Sequence, residues 1–126
     1  MSTEAAPRVD PSAPTVYFDG ACPVCAREIA MYRRQPGGDA IRWVDASSCG
    51  ADELGPALSR EAALARLHLR SADGQLVSGA AAFTGMWRQL PRWRWLGAAF
   101  GRGWRLATLE AGYRAFLKIR RAWRRA

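Results

Sequence analysis

The chain has 126 residues, of which 49% are hydrophobic, so it is long enough for one globular domain without disulfide staples. Three cysteines are too few, and odd in number, for the disulfide framework of a secreted scaffold. No run of about 18 apolar residues occurs, so no transmembrane segment is predicted. Residues 1–14 also lack the apolar core of a secretory signal, and these features together favour a cytoplasmic protein.

The net charge of +8 is concentrated at one end of the chain. Residues 87–126 contain 11 basic residues and a single acid, Glu110, whereas the first 86 residues carry a small excess of acids. The basic character therefore belongs to the C-terminal third, where it exceeds what solubility requires.

The first half of the chain predicts a leader and a β-α-β unit. Residues 1–14, rich in Pro, Ala and Ser, predict a disordered leader, and residues 15–126 predict one domain. The β-branched and aromatic run at residues 15–18 predicts a buried strand. Helical spacing then follows over residues 23–34, and residues 41–45 alternate as a second, parallel strand does.

The second half predicts a hairpin followed by helices. Ser59 is placed to cap a short helix after a mostly irregular stretch. The remaining elements are a helix over 60–65, a hairpin around Asp73 and Gly74, a helix over 79–90 stopped by Pro91, a short helix or turn at 93–100 and a long helix from 102 onward. The order predicts an α/β, thioredoxin-like fold (β-α-β, then β-β-α) with extra basic C-terminal helices from about residue 92.

Cys22 and Cys25 lie three residues apart where the first helix begins. Unpaired backbone N–H groups and the helix dipole favour a negative sulfur at that end, which can lower a thiol pKa from about 8.5 to roughly 3.5–7.5. We expect Cys22 to attack a disulfide from an exposed helix tip. Cys25, shielded one turn behind, then resolves the mixed disulfide. The predicted function is thiol–disulfide exchange, with no cofactor and no metal.

Two other interpretations of the cysteine pair remain open. A zinc site needs a second pair of ligands, and Cys49 and His68 are the available candidates, although they are far apart in sequence. The two thiols can also be buried and inert. By themselves, Cys49 is expected to be an ordinary loop thiol or an additional resolving cysteine, and His68 a packed strand residue.

Asp19 lies three residues before Cys22 and has two candidate roles. Its carboxylate can cap the turn that follows the strand, or it can accept the proton of Cys25 during resolution. A nearby carboxylate opposes thiolate formation, so Asp19 is not expected to activate Cys22. Gly20 is expected to allow a sharp turn.

The sequence DGACPVC at residues 19–25, preceded by Tyr17 and Phe18, resembles the signature of the DCC family of thiol-disulfide oxidoreductases, named for Asp-x-x-Cys-x-x-Cys. The resemblance extends over roughly residues 15–121 and includes WVD at 43–45, SGAAAF at 78–83, Leu90-Pro91 and Tyr113. It implies a thioredoxin-like fold, disulfide reductase activity and functional roles for Asp19, Cys22 and Cys25. The implied partners are a disulfide-containing substrate and a thiol electron donor, glutathione or a thioredoxin system.

One departure from thioredoxins in general lies before the third strand. Thioredoxins place a cis-proline there, facing the cysteines, but residues 65–67 of this chain are Ala, Arg and Leu. We therefore expect a substrate backbone to dock differently.

The tryptophans interleaved with arginines after residue 86 suggest an alternative function. Such a surface can contact an anionic membrane, nucleic acid or an acidic protein partner, which would make the chain a non-enzymatic binding module. In the competing interpretation the tryptophans pack the helices onto the sheet while the arginines face water. Packing is the expectation for the tryptophans, and weak contact with anionic surfaces remains open for the charge.

Overall fold

A computed structural model describes residues 13–125, with side chains described as far as residue 122. The predicted leader therefore lies almost wholly outside the described residues. The elements in chain order are β1 (Thr15–Phe18), α1 (Pro23–Arg33), a 3₁₀ turn (Gly38–Ala40), β2 (Arg42–Asp45), α2 (Ala51–Leu54), α3 (Arg60–Ala65), β3 (His68–Arg70), β4 (Leu76–Ser78), α4 (Ala80–Gln89), α5 (Arg94–Phe100) and α6 (Gly103–Arg125).

The four strands form one mixed sheet in the order β2-β1-β3-β4. Strand β1 pairs with β2 in parallel, with Thr15 opposite Arg42, and with β3 antiparallel, with Thr15 opposite Arg70. Strands β3 and β4 form the antiparallel hairpin. This mixed α/β sheet confirms the thioredoxin-like fold class predicted from the sequence.

Helices cover both faces of the sheet, as the alternation of β1 requires. Val16 and Phe18 point into a core shared with α1 and α4, which includes Ile29 and Met86. Tyr17 points to the opposite face, into a second core at α2 and α3. Both cores include residues of β1, so the end of β1 is held firmly where the next segment of the chain begins.

Several predicted helix and strand signals are confirmed. The Ser59 hydroxyl accepts a hydrogen bond from the Ala62 N–H at 3.1 Å and caps α3. Gly74, at φ +93°, lies in the loop between β3 and β4. Helix α4 begins after Gly79 and ends before Pro91. No helix among residues 13–125 combines the length and apolar character needed to cross a bilayer.

The C-terminal helix α6 is fastened to the sheet layer by two polar side chains. The Glu110 carboxylate accepts hydrogen bonds from the Ala80 N–H (3.0 Å), Arg66 Nη2 (2.5 Å) and Arg114 Nε (2.8 Å). The Tyr113 hydroxyl accepts one from the Leu67 N–H at 2.6 Å. These contacts fasten the middle of α6 to the stretch before β3 and to the start of α4.

The packing expectation for the tryptophans is correct for some and wrong for others. Trp87 and Trp93 are partly buried against the core, with their ring centroids 6.3 Å apart. Trp95 and Trp104, in contrast, are 67% and 73% exposed. The side chain of Trp123 lies outside the described residues. The exposed pair therefore does not take part in helix packing.

Candidate active site

The turn between β1 and α1 is held by Asp19, whose side chain is buried. Its carboxylate Oδ1 accepts a hydrogen bond from the Ala21 N–H at 3.0 Å, and its backbone carbonyl accepts one from the Cys22 N–H at 3.2 Å. This is the capping role predicted for Asp19. These two hydrogen bonds close the turn and hold Cys22 in a fixed position at the start of α1.

A second carboxylate, that of Asp45 at the end of β2, fixes the same turn from outside. Its Oδ1 accepts hydrogen bonds from the Gly20 N–H at 2.8 Å and from the Ser47 N–H at 2.9 Å. A Cβ at position 20 would overlap the Asp45 carboxylate. Glycine is therefore favoured by this close approach, and Gly20 is not one of the glycines with a positive φ.

Hydrogen bonding also sets the ionisation of Asp45. Partial burial raises the pKa of this carboxyl, but the hydrogen bonds from Ser47, Gly20 and Ser48 outweigh burial and hold the pKa below its usual value. Asp45 is thus a carboxylate at neutral pH. In that form it accepts the hydrogen bonds from the Gly20 and Ser47 N–H groups.

Cys22 is the N-cap residue of α1, with φ −88° and ψ 117°, and Pro23 follows at the first helical position. No acidic side chain lies in the first turn of the helix, and no side chain caps it. Cys22 therefore lies at the end of α1 that carries the partial positive charge of the helix. This is the local environment that the sequence predicted for the first cysteine.

Cys25 lies one turn further and lines a narrow cleft between α1, α6 and the stretch before β3. The cleft has a volume of about 30 Å³, room for a water or two. Its other lining residues include Asp19, Glu28, Phe83, Tyr113, Phe116 and Arg120. The second sulfur therefore faces a small, largely apolar space with a few charged groups on its walls.

Burial raises the pKa of the Cys25 thiol to about 11. The Arg120 guanidinium opposes this rise, since its Nη1 lies 3.5 Å from the Cys25 sulfur, whereas the contact with Cys22 adds to it. Cys25 is accordingly a thiol at neutral pH. A high pKa suits a sulfur that acts second.

The predicted exposure of the two cysteines is wrong. Cys22 was expected at an exposed tip, but it is only 1% exposed, although its neighbours Ala21 and Pro23 are exposed. Cys25, expected to be the shielded one, is half-buried. The Cys22 side chain is enclosed by the fold, whereas Cys25 lines the cleft.

Sequence reasoning missed Arg120, whose side chain is 7% exposed. Its Nη2 donates to the carbonyl oxygens of Leu64 at 2.6 Å and Ala65 at 3.2 Å. A signal was present in the sequence, because Arg120 falls seven residues after Tyr113 and so continues the apolar stripe of α6. An arginine in the buried stripe of a helix calls for a partner inside the fold.

Helix α6 makes hydrogen bonds to the backbone of the stretch before β3. No peptide bond in the described chain is cis, as expected from the missing proline. Helix α6 instead holds this stretch through Tyr113 at the Leu67 N–H and through Arg120 at the carbonyls of Leu64 and Ala65. The Leu67 N–H and the carbonyls of Leu64 and Ala65 are therefore already engaged by α6.

Cys49 and His68 have partners of their own. Cys49 packs with the second core, and Arg60 contacts both its sulfur at 3.8 Å and its carbonyl at 2.8 Å. His68 is buried, and its Nδ1 lies 2.9 Å from the Arg66 carbonyl oxygen, which confirms the packed strand residue. Within residues 13–125 no three His, Cys, Asp or Glu side chains gather as metal ligands do.

A cysteine pair at the first helix of a thioredoxin-like sheet, with one sulfur at the helix N-cap, defines the class of thiol-disulfide oxidoreductases. The family model described as DCC1-like thiol-disulfide oxidoreductase matches residues 16–126. The chain belongs to this family, as the resemblance of residues 19–25 indicated. No curated protein and no solved structure matched the chain.

Proposed function

We propose that this protein reduces or exchanges disulfides of proteins or small molecules through the Cys22–Cys25 dithiol. The observation that carries the proposal is the placement of Cys22 at the N-cap of α1 with Cys25 in contact one turn behind. A pair so close can alternate between a dithiol and an internal disulfide, which is the chemistry of exchange.

In the proposed cycle, Cys22 attacks first and Cys25 resolves. Cys22, at the uncapped start of α1, is the attacking sulfur, and burial keeps Cys25 protonated until the mixed disulfide has formed. Because Cys22 is buried beneath exposed neighbours, the substrate must displace the turn slightly to reach it. Since exchange proceeds through sulfur alone, no cofactor is required.

Asp19 is proposed to accept the proton of Cys25. It is buried and lines the same cleft as Cys25. A carboxylate that lines the same cleft can take up this proton as a general base. Its contact with the Ala21 N–H supports a structural role at the same time.

The electron donor is proposed to be a thiol, either glutathione or a thioredoxin system, and the compartment to be the cytoplasm. Three cysteines that are all free in this structure suit a reducing compartment. The donor returns two electrons to the internal disulfide and restores the dithiol.

The test is a disulfide-reduction assay combined with trapping. Cys22→Ser should reduce the rate of insulin or small-disulfide reduction at least 100-fold, whereas Cys49→Ser should retain it. Cys25→Ser should accumulate a mixed disulfide on Cys22, visible by mass spectrometry. Equal rates for the unsubstituted chain and Cys22→Ser would reject the proposal. An adduct that forms on Cys25 of the Cys22→Ser chain, with none on Cys22 of the Cys25→Ser chain, would reverse the proposed order.

A second candidate function rests on the exposed tryptophans Trp95 and Trp104. They lie on α5 and α6 among exposed cations, and the Arg105 guanidinium sits 5.5 Å from the Trp104 ring centroid. The exposed basic residues from α4 onward are Arg88, Arg92, Arg94, Arg102, Arg105, Arg114, Lys118 and Arg121. We propose that this surface binds an anionic partner as a binding module does, in addition to or instead of redox chemistry.

That candidate predicts salt-sensitive binding to one of three probes: vesicles containing anionic lipid, single-stranded nucleic acid, or an acidic peptide. Replacing Trp95 and Trp104 together by Ala should weaken the binding and leave disulfide reduction unchanged. Binding that is unaffected by salt and by the double substitution would exclude this surface.

A further inference from the structure

Arg120 is a buried cation that lies against a cysteine sulfur. Its side chain is 7% exposed, and it reaches Cys25 Sγ with Nη1 at 3.5 Å. Its Nη2 is held by the carbonyls of Leu64 and Ala65 at 2.6 Å and 3.2 Å. One nitrogen is thus fixed by the backbone, which aims the other at the sulfur.

The charge of this group does not vary with pH. A guanidinium stays protonated throughout the range in which a thiol titrates, and its planar fork can serve two partners at once. The carbonyls of Leu64 and Ala65 are dipoles and carry no formal charge. A thiolate formed on Cys25 would therefore meet a preformed, oriented cation in a largely apolar cleft, where electrostatic interactions are stronger than in water.

We propose that Arg120 is a catalytic residue that stabilises the Cys25 thiolate while this sulfur resolves the mixed disulfide. The inference rests on the proposed function of the dithiol and adds a group supplied by the C-terminal helix. It also explains why an arginine occupies the apolar stripe of α6, one turn beyond Phe116.

The proposed cycle consists of two successive thiol–disulfide exchanges. Attack by the Cys22 thiolate has joined its sulfur to one substrate sulfur and released the other as a thiolate. Cys25 then gives its proton to a base, and its thiolate forms a bond with the Cys22 sulfur. The bond from Cys22 to the substrate breaks, and its electron pair leaves with the substrate sulfur. The substrate disulfide has gained two electrons, and the dithiol has lost two to become a disulfide.

Other ionisable groups face Cys25 from each element around the cleft. Cys22 precedes it at the start of α1 and raises its pKa, whereas Arg120 is the cation that lowers it. The remaining ionisable residues that line the cleft are Asp19 from the β1–α1 turn, Glu28 from α1, Arg66 before β3 and Tyr113 from α6. Arg66 is engaged with Glu110, so Arg120 is the cation assigned to the sulfur.

The test measures the pKa of Cys25 by the pH dependence of its alkylation in the full chain. A Cys22→Ser background removes the coupled thiol, so the titration belongs to Cys25. Arg120→Gln should raise the midpoint, seen as slower alkylation of Cys25 at each pH below it, and Arg120→Lys should restore part of that rate. Arg121→Gln is the matched control, since it removes the same charge from an exposed neighbour and should not move the midpoint.

In the chain with both cysteines, Arg120→Gln should slow resolution of the Cys22 mixed disulfide by roughly 3- to 60-fold at neutral pH. This range follows from a 1–3 unit rise in pKa, partly offset by the greater nucleophilicity of a more basic thiolate. An Arg120→Gln midpoint equal to that of Arg121→Gln would overturn the inference.

A spectroscopic measurement decides the matter should Arg120→Gln fail to fold. The Nε–H resonance of Arg120 in the otherwise unsubstituted Cys22→Ser chain should titrate with the midpoint of Cys25, and a resonance that does not move would overturn the inference. Neither titration needs a substrate. A shifted Cys25 midpoint in a chain without reductase activity would therefore reject the proposed function alone, and reductase activity without a shift would reject the role of Arg120 alone.

Discussion

The two sulfurs of the site are held by opposite ends of the chain and by different forces. Cys22 is fixed locally, by a turn closed on Asp19 and held by Asp45 from the next strand. Cys25 is enclosed by α6, whose Arg120 lies 95 residues further along the chain. The comparison indicates that the short motif provides the reacting atoms and their backbone frame. The charge next to the second sulfur comes from the C-terminal helix.

Gly20→Ala should have the largest effect, because it disrupts the turn that holds Cys22. The new Cβ overlaps the Asp45 carboxylate, which must turn away and lose its hydrogen bonds to Gly20 and Ser47. We expect the free energy of unfolding to fall by about 3 kcal/mol. Disulfide reduction should fall with it, because Cys22 leaves its position. Both can be measured, by urea unfolding and by the reduction assay.

Gly112→Ala is the matched control, since a Cβ there meets no atom within 4 Å. It lies within α6, where Ala is favoured over Gly by up to about 1 kcal/mol, so it should raise the free energy of unfolding. A Gly20→Ala chain as stable and active as the unsubstituted chain would show that Asp45 does not hold the turn.

Glu110→Gln tests the attachment of α6 and should cost about 2 kcal/mol. Partial burial raises the pKa of Glu110, but the hydrogen bonds from Ala80, Arg66 and Arg114 outweigh it and lower the pKa to about 2. The folded pKa lies below the usual 4.5, so this contribution is complete above pH 4.5 and is lost as the pH falls through about 2. Urea unfolding at a series of pH values measures it.

The Glu110→Gln chain should therefore differ most from the unsubstituted chain at neutral pH, and the difference should shrink as the pH falls below 4.5. Glu61→Gln, at an exposed position of α3, is the control and should change stability by less than about 0.5 kcal/mol. A constant difference at every pH would contradict the assignment of the charge to Glu110.

Tyr113→Phe refines the same comparison with a smaller change. It keeps the ring against Phe83 and removes only the hydroxyl that accepts the Leu67 N–H. The N–H then lacks its acceptor, which should cost about 1–2 kcal/mol in urea unfolding. Tyr32→Phe is the comparison variant, because its hydroxyl accepts a longer side-chain hydrogen bond from Trp87 at 3.2 Å and should cost less. The opposite order would mean that Tyr113 does not fasten α6.

The smallest effect is expected for the Trp95 and Trp104 to Ala double variant. Both rings are mostly exposed, so the free energy of unfolding should change by no more than about 0.5 kcal/mol. A larger loss in urea unfolding would mean that these rings pack against the fold in solution. The surface would then no longer be available to an anionic partner.

Much of the fold was predictable because its signals are local. The β1 run at residues 15–18, the Ser59 cap and Pro91 each act within a few residues, and each element lies where these signals placed it. The cysteine pair could be found for the same reason, since its spacing and its position between a strand and a helix are visible in the sequence.

What could not be predicted depends on contacts between distant segments. The sequence does not show that Cys22 is buried while Cys25 lines the cleft, and the close approach at Gly20 comes from a carboxylate 25 residues away. Arg120 could be recognised as unusual within the stripe of α6, but its partner could not be named. Only the crossing of α6 over the stretch before β3 brings it to Cys25.

The central claim is that Cys22 and Cys25 form one reversible redox pair, and a redox titration of the Cys49→Ser chain against glutathione buffers tests it most directly. Alkylation and mass spectrometry count the free thiols at each potential. The account predicts that both thiols disappear together in a single two-electron transition of about 30 mV per tenfold change in ratio. Two thiols that stay reduced throughout, or that take up glutathione separately without ever joining, would contradict it.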